Sequence, residues 1–519
     1  MKTDPIPVVR QHRPVTVKNF TSAEPGKITP VMAFGLLQGD SASGRLPVAV
    51  EMNETFEVLF NDARIRATLW FVPKLVLDRF KGNKTYLERS AAGEPITDDA
   101  GAPVIPYIQT MAHPAPGTHP IFKSLGLSAK QGVLVSDEYQ EAYNQIVKFM
   151  YRQRSKSLTP PLLTSTALAV AMWEPSPLSE IVPDFDVEMI TGSAPLSVVG
   201  TKLPVTVDNT AAYPMGGVAK TAGANQQLVI GSDGGIQANK IYAQLSKDGI
   251  TVALANIDQA RKLVDMAKLR EGFEGWEDPY IIDRLMSGLP VDDLEWQHPM
   301  LLDQKTTTIE QLKRMATDGA SLEDGVANGM ATFSLGCNVP ANPFGGTVMM
   351  LVECIPEQLY ERQADPYFTT TNLADLPRYD RDAMNPMPVV EVLNKQVDTD
   401  HSNPTGRFGY ARRNWNWAAN PARIGGVYFA PTSGGGNAEA RKAIWPTDVA
   451  NPALNTEFYL ATTLGKQVFL DQTNPPFRIG IGGTVDVVGL TIIGAVHESE
   501  ANYDAVRAEY PPLAVPAGQ

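Results

Sequence analysis

Residues 64–80, RIRATLWFVPKLVLDRF, begin with a strict alternation that stops at a proline. One face of the alternation is apolar: Ile65, Ala67, Leu69 and Phe71. The other face carries two arginines, a threonine and a tryptophan: Arg64, Arg66, Thr68 and Trp70. Period-two alternation is typical of a strand with one buried face, and Pro73 removes a backbone donor where the strand ends. The two arginines can then stay solvated, pair across an interface or contact phosphate.

Strand patterns recur at both ends of the chain. Val48, Val50 and Met52 alternate with other residues in the same way, and late strands are predicted in three stretches: GGTVMMLVECIP (345–356), ARIGGVYFAP (422–431) and FRIGIGGTVDVVGLTIIGAV (477–496). The chain has 42 glycines and 41 prolines, together about 16% of its residues against roughly 12% in average proteins. This excess indicates many turns and favours a mainly β fold with long loops.

Helical patterns are confined to the middle of the chain. The strongest covers residues 136–152, where Ser136 is a suitable N-cap and Tyr139, Tyr143 and Ile146 share one face. A second helix is predicted from about Asn256, and short helices near 280–287 and 308–316. Between them, residues 185–252 form short β-like runs with Gly, Asn and Asp turns, which is typical of a loop-rich insertion.

The order of these patterns predicts one discontinuous β-sandwich whose two ends pair around a long excursion. We expect an extended N-terminal arm over residues 1–30 and a first part of the core over 31–155. An inserted loop-rich and helical region then covers 156–330. The second part of the core covers 331–519.

The net charge and the number of cysteines limit the classes of function that the chain can have. At a net charge of −13, the chain as a whole does not have the basic surface of a DNA-coating protein, although a local basic patch is compatible with it. Cys337 and Cys354 suit free thiols in a reducing cytoplasm. No signal peptide is predicted, and the longest apolar run, TALAVAMW at 166–173, is far too short for a membrane helix.

Catalytic and metal-binding motifs fail when they are tested against their required spacing. GDSASG at 39–44 lacks the second glycine of a nucleophile elbow, and IGIGG at 479–483 lacks the third glycine of a dinucleotide fingerprint. The six histidines are scattered, and HESEA at 497–501 has no second histidine. The sequence therefore predicts no catalytic residue, no metal site and no cofactor.

Basic and aromatic residues alternate in one stretch, GRFGYARRNWNWAANPARIGG, at 406–426. Arg407, Arg412 and Arg413 are candidates for binding nucleic acid, because arginines pair with phosphates while aromatic rings stack on bases. The alternative is a subunit interface or a strand edge, where Trp and Arg are also enriched. The N-terminal arm offers a second set of nucleic-acid candidates, with a solvated tail as its alternative: Arg10, Arg13 and Lys18.

Five stretches, in order and over most of the chain, resemble the major capsid protein of the Microviridae, tailless icosahedral phages with circular single-stranded DNA. They are the strand block that contains TLWFVP (35–80), the helix SDEYQEAYNQIVKFMYRQRS (136–155), the segment 250–302, the block FGYARRNWNWAANPARIGGVY (408–428) and NTEFYLATTL (455–464). Leu285 and Met286 replace the Phe-Gly expected in this family, and Trp417-Ala418-Ala419 replaces Tyr-Arg-Tyr. These departures indicate a divergent branch. The loop-rich stretch 185–252 lies where gokushovirus-like members carry a surface protrusion, so the resemblance implies a host-facing protrusion at about 185–252.

The resemblance implies an eight-stranded antiparallel viral jelly roll with long loop and helical insertions, which assembles into a T=1 icosahedral shell. It implies a virion protein that assembles in the host bacterial cytoplasm. The implied partners are other copies of the chain, packaged single-stranded DNA, a small basic DNA-packaging protein, a scaffolding protein, a DNA pilot protein and a host surface receptor. Within such a shell we expect five residues at interfaces: Arg64, Arg66, Trp70, Trp415 and Trp417.

Two other functions remain open, because β-sandwiches and jelly rolls host many activities. A glycan-active enzyme would need a cleft with paired carboxylates, and a receptor-binding fibre protein would be a trimer. The ordered resemblance and the failed catalytic motifs favour the capsid protein.

Overall fold

The computed structural model describes residues 9–80, 82–93, 105–155, 158–182, 205–207, 241–243, 279–288, 294–315, 325–373, 376–384, 389–418 and 422–491. The strands are β1 (Gln11–Ala23), β2 (Ile28–Leu36), β3 (Ser41–Thr55), β4 (Ala63–Pro73), β5 (Thr110–Ala112), β6 (Leu134–Ser136), β7 (Val205–Val207), β8 (Ile241–Ala243), β9 (Met300–Thr308), β10 (Glu310–Met315), β11 (Gly325–Val339), β12 (Gly346–Pro356), β13 (Val389–Leu393), β14 (Arg407–Arg412) and β15 (Phe477–Gly489).

Within the described ranges, helices are fewer than strands. They are α1 (Lys84–Ala91), α2 (Pro120–Leu125), α3 (Glu138–Arg154), α4 (Pro279–Met286), α5 (Pro366–Thr369), α6 (Tyr379–Met384), α7 (Asn394–Val397), α8 (Trp415–Ala418) and α9 (Thr456–Tyr459). Among the residues described, none of these helices is long and apolar enough to cross a membrane. The chain is mainly β, as its alternating patterns predict.

Two antiparallel sheets form the centre of the molecule. Sheet 1 has the strand order β1-β15-β3-β11-β10, and sheet 2 has the order β2-β12-β4-β9. Strands from the two ends of the chain are direct neighbours, since Val15 pairs with Val485 and Val48 pairs with Phe333. The pairing of β15 with β3 is interrupted at Gly482 and Gly483, and it resumes in the same register where Thr484 pairs with Arg45.

The first hydrophobic core lies between the two sheets. Val48 and Val50 of β3 and Ile479 of β15 pack there with Ile65 and Phe71 of β4. The alternation of residues 64–71 is therefore confirmed on its apolar face, which is completely buried. Burial of this shared apolar surface holds the sheets together.

A second hydrophobic core covers the opposite face of sheet 2. Trp70 and Val72 of β4 and Met349 of β12 contact a layer made of α3 and long loops. Tyr143 of α3 fixes this layer, because its hydroxyl donates to Ile28 O at 2.7 Å and accepts from Ala169 N at 2.9 Å. Strands β4 and β12 of sheet 2 are thus buried on both faces, whereas the outer face of sheet 1 is exposed along β1 and β3.

Several elements differ from the sequence prediction. The expected arm becomes a strand from Gln11 onward, because β1 pairs with β15 along its whole length. Residues 310–315, expected in a helix, form strand β10 because they pair with β11. Residues 422–431, expected as a strand, contain a short 3-10 turn at Gly426–Tyr428. Helix α3 is confirmed, but it begins after Asp137 rather than Ser136.

The chain divides into two compact units, one of residues 1–185 with 290–519 and one of residues 186–289. Both sheets belong to the first unit. In the second unit, β7 and β8 pair with each other and α4 lies where a short helix is predicted. Most of the predicted protrusion at 185–252, and the predicted helix from Asn256, lie outside the described residues.

Candidate functional site

Long loops beside the two sheets expose a cluster of apolar side chains. We call it the loop patch; its members are Val58, Phe60, Val427, Tyr428 and Phe429. Phe60 is 63% exposed and Phe429 57% exposed. The Phe60 ring meets the edge of Tyr428 with centroids 5.1 Å apart, so the two loops contact each other. Contiguous exposed aromatic residues mark interaction surfaces more often than isolated ones do.

Hydrogen bonds and a buried tryptophan hold the base of the loop patch. The Asn61 amide donates to Trp445 O at 2.8 Å, and Trp445 N donates back to the Asn61 side-chain oxygen at 2.8 Å. The Trp445 indole is fully buried and donates to Gly465 O at 2.9 Å. Because this support is fixed, the exposed rings above it lose little conformational freedom on contact with a partner.

Arg441 connects the second loop of the patch to a buried charge network. Its guanidinium donates to Tyr428 O at 2.6 Å and to both carboxylate oxygens of Glu361, at 2.7 and 3.0 Å. Bidentate pairing of this kind fixes orientation as well as adding energy. The loop patch is therefore attached to charges in the interior of its own unit.

The network continues through Arg362, which donates to Asp398 at 3.0 Å and to Asp448 at 2.6 Å. Burial of the Asp448 carboxyl and its hydrogen bond with Glu361 raise the pKa of Asp448 to about 6, against the opposing effect of Arg362. The adjoining cavity has a volume of about 20 Å³, which is room for about one water molecule. This cavity beside Asp448 is too small for a sugar.

A second group of exposed apolar residues lies on nearby segments of the chain: Tyr367, Phe368, Leu373, Tyr379 and Trp417. Tyr367 and Trp417 meet edge to face at 6.4 Å. An ion pair between Arg423 and Asp365 links the same segments. These residues enlarge the apolar surface that this part of the chain presents to solvent.

The nucleic-acid candidates of the 406–426 stretch are placed on and just after β14. Arg407 donates to the Tyr410 hydroxyl at 2.7 Å, Arg412 lies 3.1 Å from Glu180, and Arg413 lies 3.6 Å from Asp382. All three thus have partners within the chain. Their assignment to nucleic acid stays a prediction.

The three candidates near the N-terminus lie on or beside β1. Arg10 donates to Gly39 O, and Arg13 donates to the buried Asp40 carboxylate at 2.6 Å. The Lys18 side chain is exposed on the outer face of sheet 1, and no hydrogen bond or ion pair joins it to another described residue. Of the three, Lys18 is the cation left for a ligand.

The interface candidates lie mostly in or beside the second core. Arg64 forms ion pairs with Glu174 and, at 3.1 Å, with Glu357. Arg66 forms an ion pair with the buried Glu353. These carboxylates of the same chain explain how β4 carries two arginines on one face. The other candidates are three tryptophans, of which Trp70 and Trp415 are buried and Trp417 is 36% exposed. Their place in an interface stays a prediction.

Sequence reasoning missed the loop patch. Residues 422–431 have the apolar content of a strand, and the glycines at 425 and 426 were the available signal for a turn. Phe60 follows a strand and has no pattern of its own. The contact between two segments so far apart in sequence becomes visible only in three dimensions.

No protein-family model matches the chain, and no curated protein matches its sequence. Within the described part of the chain, no group of three His, Cys, Asp or Glu side chains is arranged to hold a metal ion. Both cysteines are buried and unpaired, and burial raises the pKa of the Cys337 thiol to about 11.

Proposed function

We propose that this chain is the structural subunit of a T=1 icosahedral virion that encloses single-stranded DNA. Its fold would be an eight-stranded viral jelly roll, and its function self-assembly rather than catalysis. The proposal combines the resemblance to the Microviridae major capsid protein with two structural features. The strand order of the two sheets supports the fold, and the exposed loop patch supports self-assembly.

The path of the chain between the two sheets supports the jelly-roll assignment. Of eight strands taken in chain order, β1, β3, β11 and β15 lie in sheet 1, and β2, β4, β9 and β12 lie in sheet 2. The chain therefore changes sheet at every step except from β4 to β9, which are neighbours in sheet 2. The resulting orders, β1-β15-β3-β11 and β2-β12-β4-β9, are those of two interleaved Greek keys. Strand β10 then extends sheet 1 at the edge. Jelly rolls form viral capsids, lectins and cupins, so the fold alone leaves the function open.

The loop patch supports self-assembly. Exposed aromatic residues on a rigid base are what a subunit interface requires, because aromatic anchors bury large areas at a small entropic cost. A shell needs heterologous contacts, in which one surface of a copy meets a different surface of the next. We assign the loop patch and the exposed group around Tyr367 and Trp417 to such contacts.

The remaining partners follow from the resemblance. A net charge of −13 suits a coat that leaves genome condensation to a small basic packaging protein. Scaffolding and pilot proteins would act during assembly, and the 185–252 segment would face a host receptor. We place the protein in the virion, assembled in the bacterial cytoplasm.

Sedimentation velocity tests the assembly surface. We expect Phe429→Asp to shift the full chain from particles to small species, because a charge in the loop patch would be desolvated on contact. Leu162→Asp is the matched control, since Leu162 is 78% exposed in a loop that α3 holds through a hydrogen bond from Asn144 to Leu163 O. Particles that form equally well from both variants would contradict the assignment of the loop patch. A stable monomer or trimer from the unmutated chain, under assembly conditions, would contradict the capsid proposal itself.

A further inference from the structure

The exposed face of sheet 1 contains a strip without side chains. The outward positions of β15 include Gly480 and Gly482, which pair with Phe20 and Lys18 of the neighbouring β1. A Cβ atom at Gly482 would meet nothing within 4 Å, so the protein itself does not require a glycine there for space. The strip is a shallow trough between the side chains of β1 and those of β3.

Phe20 stands at the edge of this trough and is 77% exposed. Its ring lies 3.6 Å from where a Cβ atom of Gly480 would be, so one side of the ring covers the glycine and much of the rest remains free. An aromatic ring over a strand glycine protects the backbone. A ring with this much free surface can also stack on a planar ligand.

A cleft of about 810 Å³ opens beside Phe20. Its walls include Phe20, Met330 and Arg478 from sheet 1, and Pro120 and Lys123 from α2. This volume lies within the roughly 300–1,000 Å³ that small-molecule sites occupy. One end of the trough therefore leads into a concavity large enough for a nucleotide.

Cations without partners surround the trough and the cleft. Within the described residues, the Lys18, Arg45 and Lys123 side chains have no hydrogen-bond or ion-pair partner. The carboxylates that line the cleft are already paired, because Glu51 lies 3.7 Å from Arg478 and Glu24 lies 2.7 Å from Lys466. Farther along the face, His12 contacts Asp486 at 3.0 Å. The surface thus offers three free positive charges in a chain of net charge −13.

We infer that the exposed face of sheet 1 binds single-stranded nucleic acid, with one base stacked on Phe20 at the mouth of the cleft and phosphates on Lys18, Arg45 and Lys123. The inference rests on the proposed function and names the surface of the subunit that meets the genome. A glycine trough lets a sugar–phosphate backbone approach the sheet, and unpaired cations on either side of it compensate phosphate charge.

Single strands fit this surface better than duplex DNA. In a duplex the bases are already stacked on each other, so none is available to Phe20 without the cost of unstacking. A flat sheet with one aromatic platform and flanking cations is a recurrent way to bind single strands without sequence preference. An acidic peptide would use the cations but gain little from the ring.

The test is the binding of a fluorescent 20-nucleotide poly(dT) strand to the full, unassembled chain, followed by anisotropy. We expect Phe20→Ala to weaken binding at least about fivefold, because stacking on an aromatic side chain contributes at that level. Phe368→Ala, which removes an 87% exposed ring elsewhere, is the matched control and should leave binding unchanged. A duplex of equal length should bind more weakly than the single strand.

The cations are tested by the salt dependence of the same titration. Replacing Lys18 and Arg45 together by glutamate should weaken binding and flatten the plot of log K against log salt by about 1.4, since each phosphate contact contributes about 0.7 for single strands. Lys305→Glu, on the exposed edge strand of sheet 2, is the control for Lys18→Glu alone, because both single replacements change the net charge by the same amount.

Equal poly(dT) binding by the variants and their controls, or stronger binding of the duplex, would overturn the inference. Binding that loses its salt dependence in Lys18→Glu/Arg45→Glu but is untouched by Phe20→Ala would also overturn it, since it leaves no stacked base.

Particle formation separates this result from the proposed function. Shells that assemble normally while poly(dT) binding ignores Phe20 leave the capsid proposal intact, whereas a chain that binds poly(dT) as expected but never forms particles contradicts only the capsid proposal.

Discussion

The outer faces of the two sheets carry similar residues, but the outer face of sheet 2 is buried and that of sheet 1 is exposed. On β4 of sheet 2 the outward residues include Arg66 and Trp70, and both lie under a layer of helix and loops. On β1 and β3 of sheet 1 the outward residues include Phe20 and Arg45, and both are exposed. An arginine and an aromatic residue thus contribute to stability on one face, whereas on the other they are available for binding.

The difference originates in the connections rather than in the strands. Helix α3 and the segments around residues 171–181, 392–415 and 458–461 share the second hydrophobic core with sheet 2. Long insertions that cover one sheet leave the opposite sheet free for another molecule, because a β-sandwich has only two outer faces. The predictions below test whether the two faces differ as strongly in energy as they do in burial.

The largest expected effect is the difference in stability between a variant at Trp70 and a variant at Phe20. Trp70→Ala should lower the free energy of unfolding by about 3–5 kcal/mol, because it leaves a cavity in the second core. Phe20→Ala should change it by no more than about 0.5 kcal/mol, as for other exposed positions. Urea unfolding followed by fluorescence and circular dichroism measures both. Similar losses for the two variants would mean that the two faces do not differ in the way described.

The second prediction compares the two arginines. Arg66→Ala should cost about 3–5 kcal/mol because Glu353, whose side chain is 1% exposed, then remains charged without its partner. Replacing both members, Arg66→Met with Glu353→Leu, should recover most of this loss, since apolar pairs can replace buried ion pairs. Arg45→Ala, on the exposed face, should stay within about 0.5 kcal/mol. No recovery in the double variant would show that Arg66 acts through something other than its pair with Glu353.

A smaller effect concerns pH. The folded pKa of Asp448 is raised to about 6 from a usual value of 3.8, so its contribution to stability is complete below the unfolded pKa and is lost as pH rises through about 6. The free energy of unfolding relative to Asp448→Asn should therefore fall by about 2–3 kcal/mol between about pH 4 and pH 7.

Denaturant titrations of both proteins across this range provide the measurement, and the Asn variant removes the titrating group while keeping its shape. Glu361 and the arginines at 362 and 441 face the same network, so only the difference between the two proteins isolates Asp448. A difference that rises with pH would contradict the shared-proton arrangement of Asp448 with Glu361.

The sequence predicts the elements whose patterns are local. The alternation of residues 64–71 gives β4, the apolar run at 345–356 gives β12, and the face of Tyr139, Tyr143 and Ile146 gives α3. Sequence-based prediction fails where pairing with a distant strand determines the secondary structure. Residues 310–315 are compatible with a helix until β11 pairs with them, and β1 hides its alternation because its inward positions include polar residues such as Arg13 and Asn19.

The candidate surfaces were harder to predict for the same reason. Whether the arginines of β4 meet a carboxylate, a partner or phosphate depends on Glu174, Glu353 and Glu357, which are distant in sequence. Lys18 was identified from its charge, but Phe20 and the glycine strip acquire meaning only from the β1–β15 register. Local patterns therefore predict the strands, whereas the contacts that each face makes depend on the three-dimensional fold.

The central claim is that this chain builds a closed shell, and cryo-electron microscopy of the particles formed on expression with its neighbouring genes tests it most directly. The account predicts uniform icosahedral shells of T=1 symmetry, with the loop patch buried between copies and the exposed face of sheet 1 directed at the interior. Shells with the loop patch facing solvent would require a different interface. A homogeneous monomer or trimer under the same conditions would contradict the account.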